Sequence, residues 1–315
     1  MTKRLLAWPI LGLILGGCQL PGPRLTASTP GGLAALAGEY DNRAQIWDAQ
    51  TAAMGAAPEI PAIHQWLRPT PDGALLWRLA SPKAAQEGRW LLREEGDAWV
   101  PYRPLDAAAL SYFAGESDPV RFRFEPAAWA PLTACALQHA DGGSAHRADA
   151  AACSALWSGL GEAAALLPLR VQVDGETIVV ATVADAARGA GATTVSRRVR
   201  WFSGWDALAG GGAQAQAQAS NEDWHVRRDL RLHSEGGRVE LRWRDGAPSG
   251  YVLELARLTY RESGTEVLRL AVIETTGNRV LSYAWADPGA TRIGINLGWL
   301  QVGLEQEGTG DSARR

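Results

Sequence analysis

Apolar and polar positions alternate along most of this chain in short runs cut by Gly, Pro, Asp and Asn, a pattern that predicts strands joined by tight turns. The exception comes first. Leu36, Tyr40, Ala44 and Trp47 recur at helical spacing, so a short N-terminal helix is expected within Ala34–Met54, with Gly38 able to break it into two turns. Strands are expected at Ala74–Leu79, Arg89–Arg93, Trp99–Arg103 and Val120–Glu125. In the last, Arg121-Phe122-Arg123-Phe124 alternates as a half-buried strand does. Asp149–Leu160 reads as a second short helix carrying Cys153 and Trp157, and Leu169–Val173 and Thr177–Val183 flank Asp174-Gly175, the strongest hairpin signal in the chain.

Residues 207–220 read ALAGGGAQAQAQAS, low in complexity with little to bury, which predicts a flexible linker. Beyond it the alternation resumes. Trp224, Val226, Leu230 and Leu232 share one face, and Val239, Leu241 and Trp243 repeat the pattern after a turn at Gly236-Gly237. Strands at Tyr251–Tyr260, Glu266–Glu274, Arg279–Trp285 and Ile293–Leu304 complete a meander. The fold class is therefore mainly β: an antiparallel barrel over residues 33–206 with a short N-terminal helix, then a second antiparallel β-meander unit over 221–306 and a polar tail, 307–315.

The start of the chain adds a compartment. Lys3 and Arg4 precede an apolar run, Leu5–Leu15, too short to span a bilayer as helix. Leu15-Gly16-Gly17-Cys18 then resembles the lipobox of bacterial lipoproteins. The expectation is a signal peptide, 1–17, cleavage before an acylated Cys18, and a Pro/Gly/Ser-rich tether, 18–32. Acyl chains would then anchor the chain to a membrane. Gln19, in place of the aspartate associated with inner-membrane retention, points to the outer membrane facing the periplasm. The 31 basic residues, less the two in the leader, against 34 acidic ones give the mature chain a net charge of −5, which excludes a nucleic-acid binder driven by bulk charge. Lys83 is the one lysine after the leader; the abundance of Arg, Ala and Gly reads first as GC-rich codon usage.

Two cysteines remain, Cys135 and Cys153. In an oxidising compartment an even pair is most simply a disulfide. The alternative, a catalytic thiol, needs a basic or His-rich setting, and His139 and His146 are near in sequence. No G-x-S-x-G elbow occurs, and Gly159–Ala164 matches a dinucleotide fingerprint in letters but follows a helix instead of a strand. The five histidines show no metal spacing, so no metal is expected: His225 and His233 lie too far apart along one strand face, and His139 and His146 flank Asp141-Gly142-Gly143, which reads first as a surface turn and otherwise as a hairpin across which the two could meet. Arginines on alternating strands, among them Arg198, Arg200, Arg227 and Arg228, stand beside Trp201, Trp205 and Trp224. That combination suits carboxylates and flat rings; alternation alone also yields it, with arginine on the wet face and tryptophan in the core.

Leu36-Ala37-Gly38-Glu39-Tyr40-Asp41-Asn42-Arg43-Ala44-Gln45 resembles the L-x-G-x-(F/Y)-x-N-x-x-Q segment of CpcT/CpeT-type chromophore lyases. Pro101-Tyr102-Arg103 is similar to that family's P-Y-R motif, Cys135 and Cys153 to its two spaced cysteines, and Ser196–Arg198 to its S-x-D-R-G motif. The likeness spans residues 33–206 and implies a calycin-like barrel, a bilin or haem-like tetrapyrrole as ligand class, and a ligand site including Asn42, Arg43, Gln45, Tyr102 and Arg103. The same residues also suit a polar network that clamps the first helix to the barrel. Where the family carries Y-x-E-Q, this chain reads Ala-Leu-Leu-Trp-Arg-Leu without the carboxylate, and an exported protein is parted from cytoplasmic bilins. The resemblance therefore implies a fold and a ligand class more than a lyase reaction. The expected function is a lipid-anchored envelope protein whose barrel holds a small apolar or tetrapyrrole-like ligand. The alternatives are a non-enzymatic outer-membrane scaffold or interaction lipoprotein, with an envelope protein as partner, and a bilin chromophore lyase.

Overall fold

The computed structural model describes residues 32–52, 59–81, 86–115, 117–140, 145–189, 192–214, 223–260 and 262–308. The leader, Cys18, the tether before Gly32, residues 215–222 of the expected linker and the tail after Gly308 lie outside them. The first unit is a closed antiparallel barrel of ten strands: β1 (Gly38–Asp41), β2 (His64–Pro69), β3 (Leu75–Ser81), β4 (Gln86–Glu95), β5 (Ala98–Pro104), β7 (Leu137–His139), β8 (Ala145–Arg147), β9 (Pro168–Asp174), β10 (Thr177–Thr182) and β11 (Thr194–Arg198). Neighbours in the chain are neighbours in the sheet, and β11 pairs back onto β1 through Tyr40 opposite Arg198. β6 (Trp129–Pro131) pairs with the end of β5 outside the ring. Closure leaves none of the ten as a free edge.

Alternation decides what points inward. Leu75, Trp77 and Leu79 of β3, Trp90 and Leu92 of β4, and Tyr40 of β1 fill the interior with side chains that are essentially unexposed. The indole Nε1–H of Trp77 donates to Gln65 Oε1 (3.2 Å) and that of Trp90 to the Leu166 carbonyl (3.1 Å), so both buried indole donors are satisfied. A partly open pocket beside Ser81, Val180 and Asp185 measures about 30 Å³, room for about one water molecule. Ala74, Leu76, Leu91 and Tyr102 face outward yet are also buried, because α2 (Ala107–Ala114) and residues 119–131 cover them with Phe113, Phe122 and Trp129. This two-sided burial explains the unbroken apolar run Ala74–Trp77. It also corrects the strand expected at Val120–Glu125: after a 3-10 turn, Pro119–Arg121, the segment is an extended cover that alternates buried Phe122 with exposed Arg123 but pairs with no strand. Cys135 and Cys153, both fully buried, form a disulfide that ties a 3-10 turn to α3 (Ala150–Leu160), which leaves no free thiol among the described residues.

The helix expected within 34–54 is divided. Leu33–Leu36 is a 3-10 turn, Gly38–Asp41 is β1, and only Arg43–Ala52 is helix, α1. Tyr40 answers to a strand period here because β2 and β11 flank it. The Asp174-Gly175 hairpin forms one position later, with Gly175-Glu176 as the turn between paired Asp174 and Thr177.

The second unit begins before the expected boundary at 206. β12 (Trp201–Ala209) follows β11 after two residues, and Ala207, Leu208 and Ala209, expected in a linker, are buried strand residues paired with β13 (Trp224–His233) and β19 (Leu300–Gln306). Two four-stranded sheets, β13-β12-β19-β18 and β14-β15-β16-β17, share one core of Phe202, Leu230, Leu232, Leu253, Leu255 and Leu268. Here β14 is Glu235–Arg242, β15 Pro248–Tyr260, β16 Thr265–Glu274, β17 Arg279–Ala286 and β18 Arg292–Asn296. Gly236 and Gly237 form no hairpin turn: the corner between the sheets is at Ser234, and the two glycines lie just past it in a bulge at the start of β14. A Cβ on Gly237 would stand 2.5 Å from the His233 nitrogen, so only glycine lets the chain double back so closely. The strand expected at Ile293–Leu304 is a hairpin, β18–β19, turning at Gly298 with φ +81°. In β13 a bulge sets Arg228 and Asp229 against the single residue Trp205. It reverses the faces beyond it: Val226 is exposed and Arg227 turns in to Asp206, Nε to Oδ2 2.8 Å.

Barrel and sandwich meet along a polar seam. Glu254, 1% exposed, accepts from Arg238 (2.7 Å), Arg269 (2.9 Å) and Arg43 of α1 (3.4 Å). Burial pushes the Glu254 carboxyl up, and the charges of Arg43, Arg238 and Arg269 more than offset this, leaving it below its usual range. Arg257 bridges Glu235 (2.8 Å) and Glu176 of the β9–β10 turn (2.9 Å); Arg197 of β11 pairs with Glu266. We expect Glu254→Ala, which strands three guanidinium groups, to lower stability by about 3 kcal/mol or more. Chemical denaturation followed by tryptophan fluorescence checks this, and an unchanged midpoint would show the seam to be dispensable.

Candidate functional site

In the seam lies a cluster of histidines and carboxylates built by strand alternation. Tyr40 points into the barrel, so Glu39 and Asp41 of β1 both point out. In the β1–β2 register Asp41 stands opposite His64 and Glu39 opposite Trp66, which gathers all four on the barrel's outer face. The second unit presents a matching pair: Trp201 of β12 stands opposite His233 of β13. Docking brings the two faces together, with the His64 and His233 rings 5.0 Å apart and the Trp201 and His233 rings 5.2 Å apart, edge to face.

Both nitrogens of His64 meet carboxylates: Nδ1 lies 2.8 Å from Asp41 Oδ2, and Nε2 lies 2.7 Å from Glu39 Oε1. The protonated ring donates to both. Trp201 Nε1–H donates to the other Glu39 oxygen at 2.7 Å. Burial pulls the His64 pKa down, but the hydrogen bonds and charges of Asp41 and Glu39 outweigh it and raise it to about 9. His233 goes the other way. Burial and then the charge of His64 press it down to about 4, and its ring has no hydrogen-bond partner among the described residues. Arg231 stacks on Trp201, 3.7 Å from the ring centre, with its own charge met by Glu307 at 2.8 and 3.0 Å. Two residues past His233, burial raises Glu235 to about 7 against the pull of Arg257 and Arg197. Asp41, His64 and His233 each present one ligand atom within 4.8 Å of the others. The cluster can hold a proton between carboxylates or, in its place, a cation.

The residues singled out by the sequence motifs are brought together only in part. Asn42 is fully buried; its Nδ2–H donates to the Pro61 carbonyl (2.9 Å) and its Oδ1 accepts from Ile63 N–H (2.8 Å). Gln45 donates to the Thr193 carbonyl (2.8 Å) and accepts from Val195 N–H (3.0 Å). Arg43 reaches Glu254 over Gly236. These three clamp α1 to the barrel and the second unit. Tyr102 and Arg103 lie on β5, four strands away round the barrel. Tyr102 donates to Glu95 beneath the outer cover, and Arg103 is exposed. The two groups line no common pocket among those described. His139 and His146 do meet, directly paired across β7–β8 with rings 5.1 Å apart, and His146 stacks on Trp99.

The His64 cluster itself was missed. Glu39 and Asp41 would have shown as a same-face pair had 34–54 been read with a strand period, but nothing in spacing joins His64 to His233. Comparison of the chain with protein-family models, curated proteins and solved structures finds no match.

Metal-free protein has a defined pH response. A proton held by folded His64 up to pH about 9, against 6.5 as its reference value, gives stability that is complete below pH 6.5. It is lost as pH rises through 9, a fall of about 3 kcal/mol. Denaturation midpoints measured across that range should fall for the wild type and stay level for His64→Gln; parallel curves would remove His64 as the cause.

Proposed function

We propose that the chain is a lipid-tethered envelope protein, anchored through Cys18 and facing the periplasm, that acts as a non-enzymatic scaffold or interaction protein. The packed barrel carries this reading. Ligand pockets measure about 300–1,000 Å³; the pocket beside Ser81, Val180 and Asp185, at about 30 Å³, has no room for a tetrapyrrole. Exposed aromatics support a surface role: Tyr283 (48% exposed) and Trp285 (60% exposed) stand together on β17 beside Tyr260, a clustering typical of contact surfaces. No helix among the described residues is long and apolar enough to cross a membrane, so the anchor in this reading is the lipobox at Leu15–Cys18.

One observation favours a second reading, a flat apolar or tetrapyrrole-like guest held at the surface. A groove of about 810 Å³ runs over the outer face of β12, β18 and β19, with Trp205 against Gly303 and with Arg228 and Arg292 at its sides. Arg228 has no ion pair among the described residues, while Arg292 pairs with Glu305 at 2.8 Å.

We expect Cys18→Ser to move the chain from the membrane to the soluble fraction on cell fractionation; retained attachment would refute the lipid anchor. On adding haem or a bilin to the chain without its first 25 residues, we expect no visible absorbance shift. A shift abolished by Trp205→Ala or Arg228→Ala would overturn the scaffold reading in favour of the groove, and one abolished by Tyr102→Phe or Arg103→Ala in favour of the motif residues.

A further inference from the structure

We propose that Asp41, His64 and His233 form a site for one divalent transition-metal ion of the Zn²⁺ class, bridging the barrel and the sandwich. The three ligand atoms lie within 4.8 Å of one another. Donors bound tetrahedrally at 2.0–2.2 Å stand about 3.3–3.6 Å apart, so closure onto an ion asks for movements of roughly an ångström in these three side chains. Two of the three come from directly opposed positions of β1 and β2, and the third is the last residue of β13, with Gly237 packed closely against its backbone.

Four features favour an ion here over an inert polar contact. His233 Nδ1 is buried without a hydrogen-bond partner, and an orphaned buried nitrogen in a cluster of ligating groups is accounted for by a ligand. The donor set is two imidazoles and one carboxylate, which suits Zn²⁺ and its first-row neighbours and not Mg²⁺ or Ca²⁺, which take oxygen. Glu39 accepts from the far nitrogen of His64 and is itself held by Trp201; a carboxylate behind a ligating histidine fixes its tautomer and orientation. Finally, two carboxylates and neutral imidazoles balance a dication. The side chains of Glu39, Asp41 and His64 keep 11–21% exposure, which leaves a path for the ion to enter and a position for water to complete its shell. The ion ties β1 and β2 to β13 and thereby locks the two units against each other.

The test uses the full chain, stripped with a chelator and titrated with Zn²⁺ by calorimetry and by proton–nitrogen correlation spectra of the histidine rings. The expected result is one equivalent bound, with the ring signals of His64 and His233 shifting and those of His139, His146 and His225 staying in place. The unfolding midpoint should rise with free Zn²⁺. Glu39→Gln, which retains the three ligands, should bind one equivalent with 10–100-fold lower affinity. The absence of saturable binding to the wild type, or shifts confined to the other three histidines, would overturn the site. Neither outcome depends on whether a ligand-deleted variant folds.

Discussion

The structure turns on carboxylates that have been taken out of water. Glu235 and Glu254 lie at the seam with almost no exposure, as do Asp41 and Glu39 to a lesser degree. A buried carboxylate stays charged only if cations and donors replace the water it has lost. The sandwich cannot supply all of them itself. Arg43 arrives from α1; in return Trp201 of β12 donates to Glu39 of the barrel, and Arg257 extends from β15 to Glu176 on the barrel's β9–β10 turn. Each unit thus completes the electrostatics of the other, and the relative placement of the two follows from that exchange. Arginine serves here where lysine could not. A planar fork lets Arg257 hold Glu235 through Nε and Glu176 through Nη1 at once.

The same constraint produces the histidine cluster. Once α1 is seated on Glu254 and on the Thr259 carbonyl through Trp47 (2.9 Å), the outer faces of β1 and β2 have to lie against β12 and β13. His64 and His233 then share a space in which one is held protonated and the other neutral. Two like groups with opposite protonation 5.0 Å apart follow from neighbours: carboxylates on both sides of one ring, and burial beside a cation for the other. The arrangement has the makings of a ligand shell because the three groups come within 4.8 Å of one another from two units held together by ion pairs elsewhere along the seam.

How much of this was legible depends on the range of the interaction. Local patterns read well: the Asp149-capped helix α3, the β9–β10 hairpin, the succession of strands, the pairing of Cys135 with Cys153. Patterns set by a distant partner did not. Tyr40 fits a helical stripe equally well on paper, and the strands on either side of it, β2 and β11, decide the matter. Arg121–Phe124 alternates because one side faces the outer surface of the barrel, a burial pattern that a cover segment and a strand share. Ala207–Ala209 read as linker from small side chains; small side chains are also what a crowded strand between two neighbours accepts. Of the site, Asn42, Arg43 and Gln45 were found by motif and turn out to anchor α1. His64 and His233 are 169 residues apart in number and meet only after two independent sheets have closed and docked, so no spacing rule reaches them.

The packing also bears on where any activity can reside. Opening a chamber in the barrel would mean turning out Trp77 or Trp90, each with its indole hydrogen bond, and losing a buried aromatic of this size costs about 3–5 kcal/mol. A guest entering by that route would have its affinity lowered by a factor of a hundred or more for each ring displaced. A surface groove or the seam asks for no such reorganisation, because its walls are already formed and partly hydrated. Since the apolar groups are taken up by the barrel interior, its outer cover and the core of the second unit, what the fold leaves for recognition is the polar chemistry between the units and the aromatic and arginine-bearing outer faces. The cluster at the seam combines preformed geometry, an unsatisfied buried nitrogen and an opening to solvent, and that combination makes it the part of the molecule best prepared to take up something from outside.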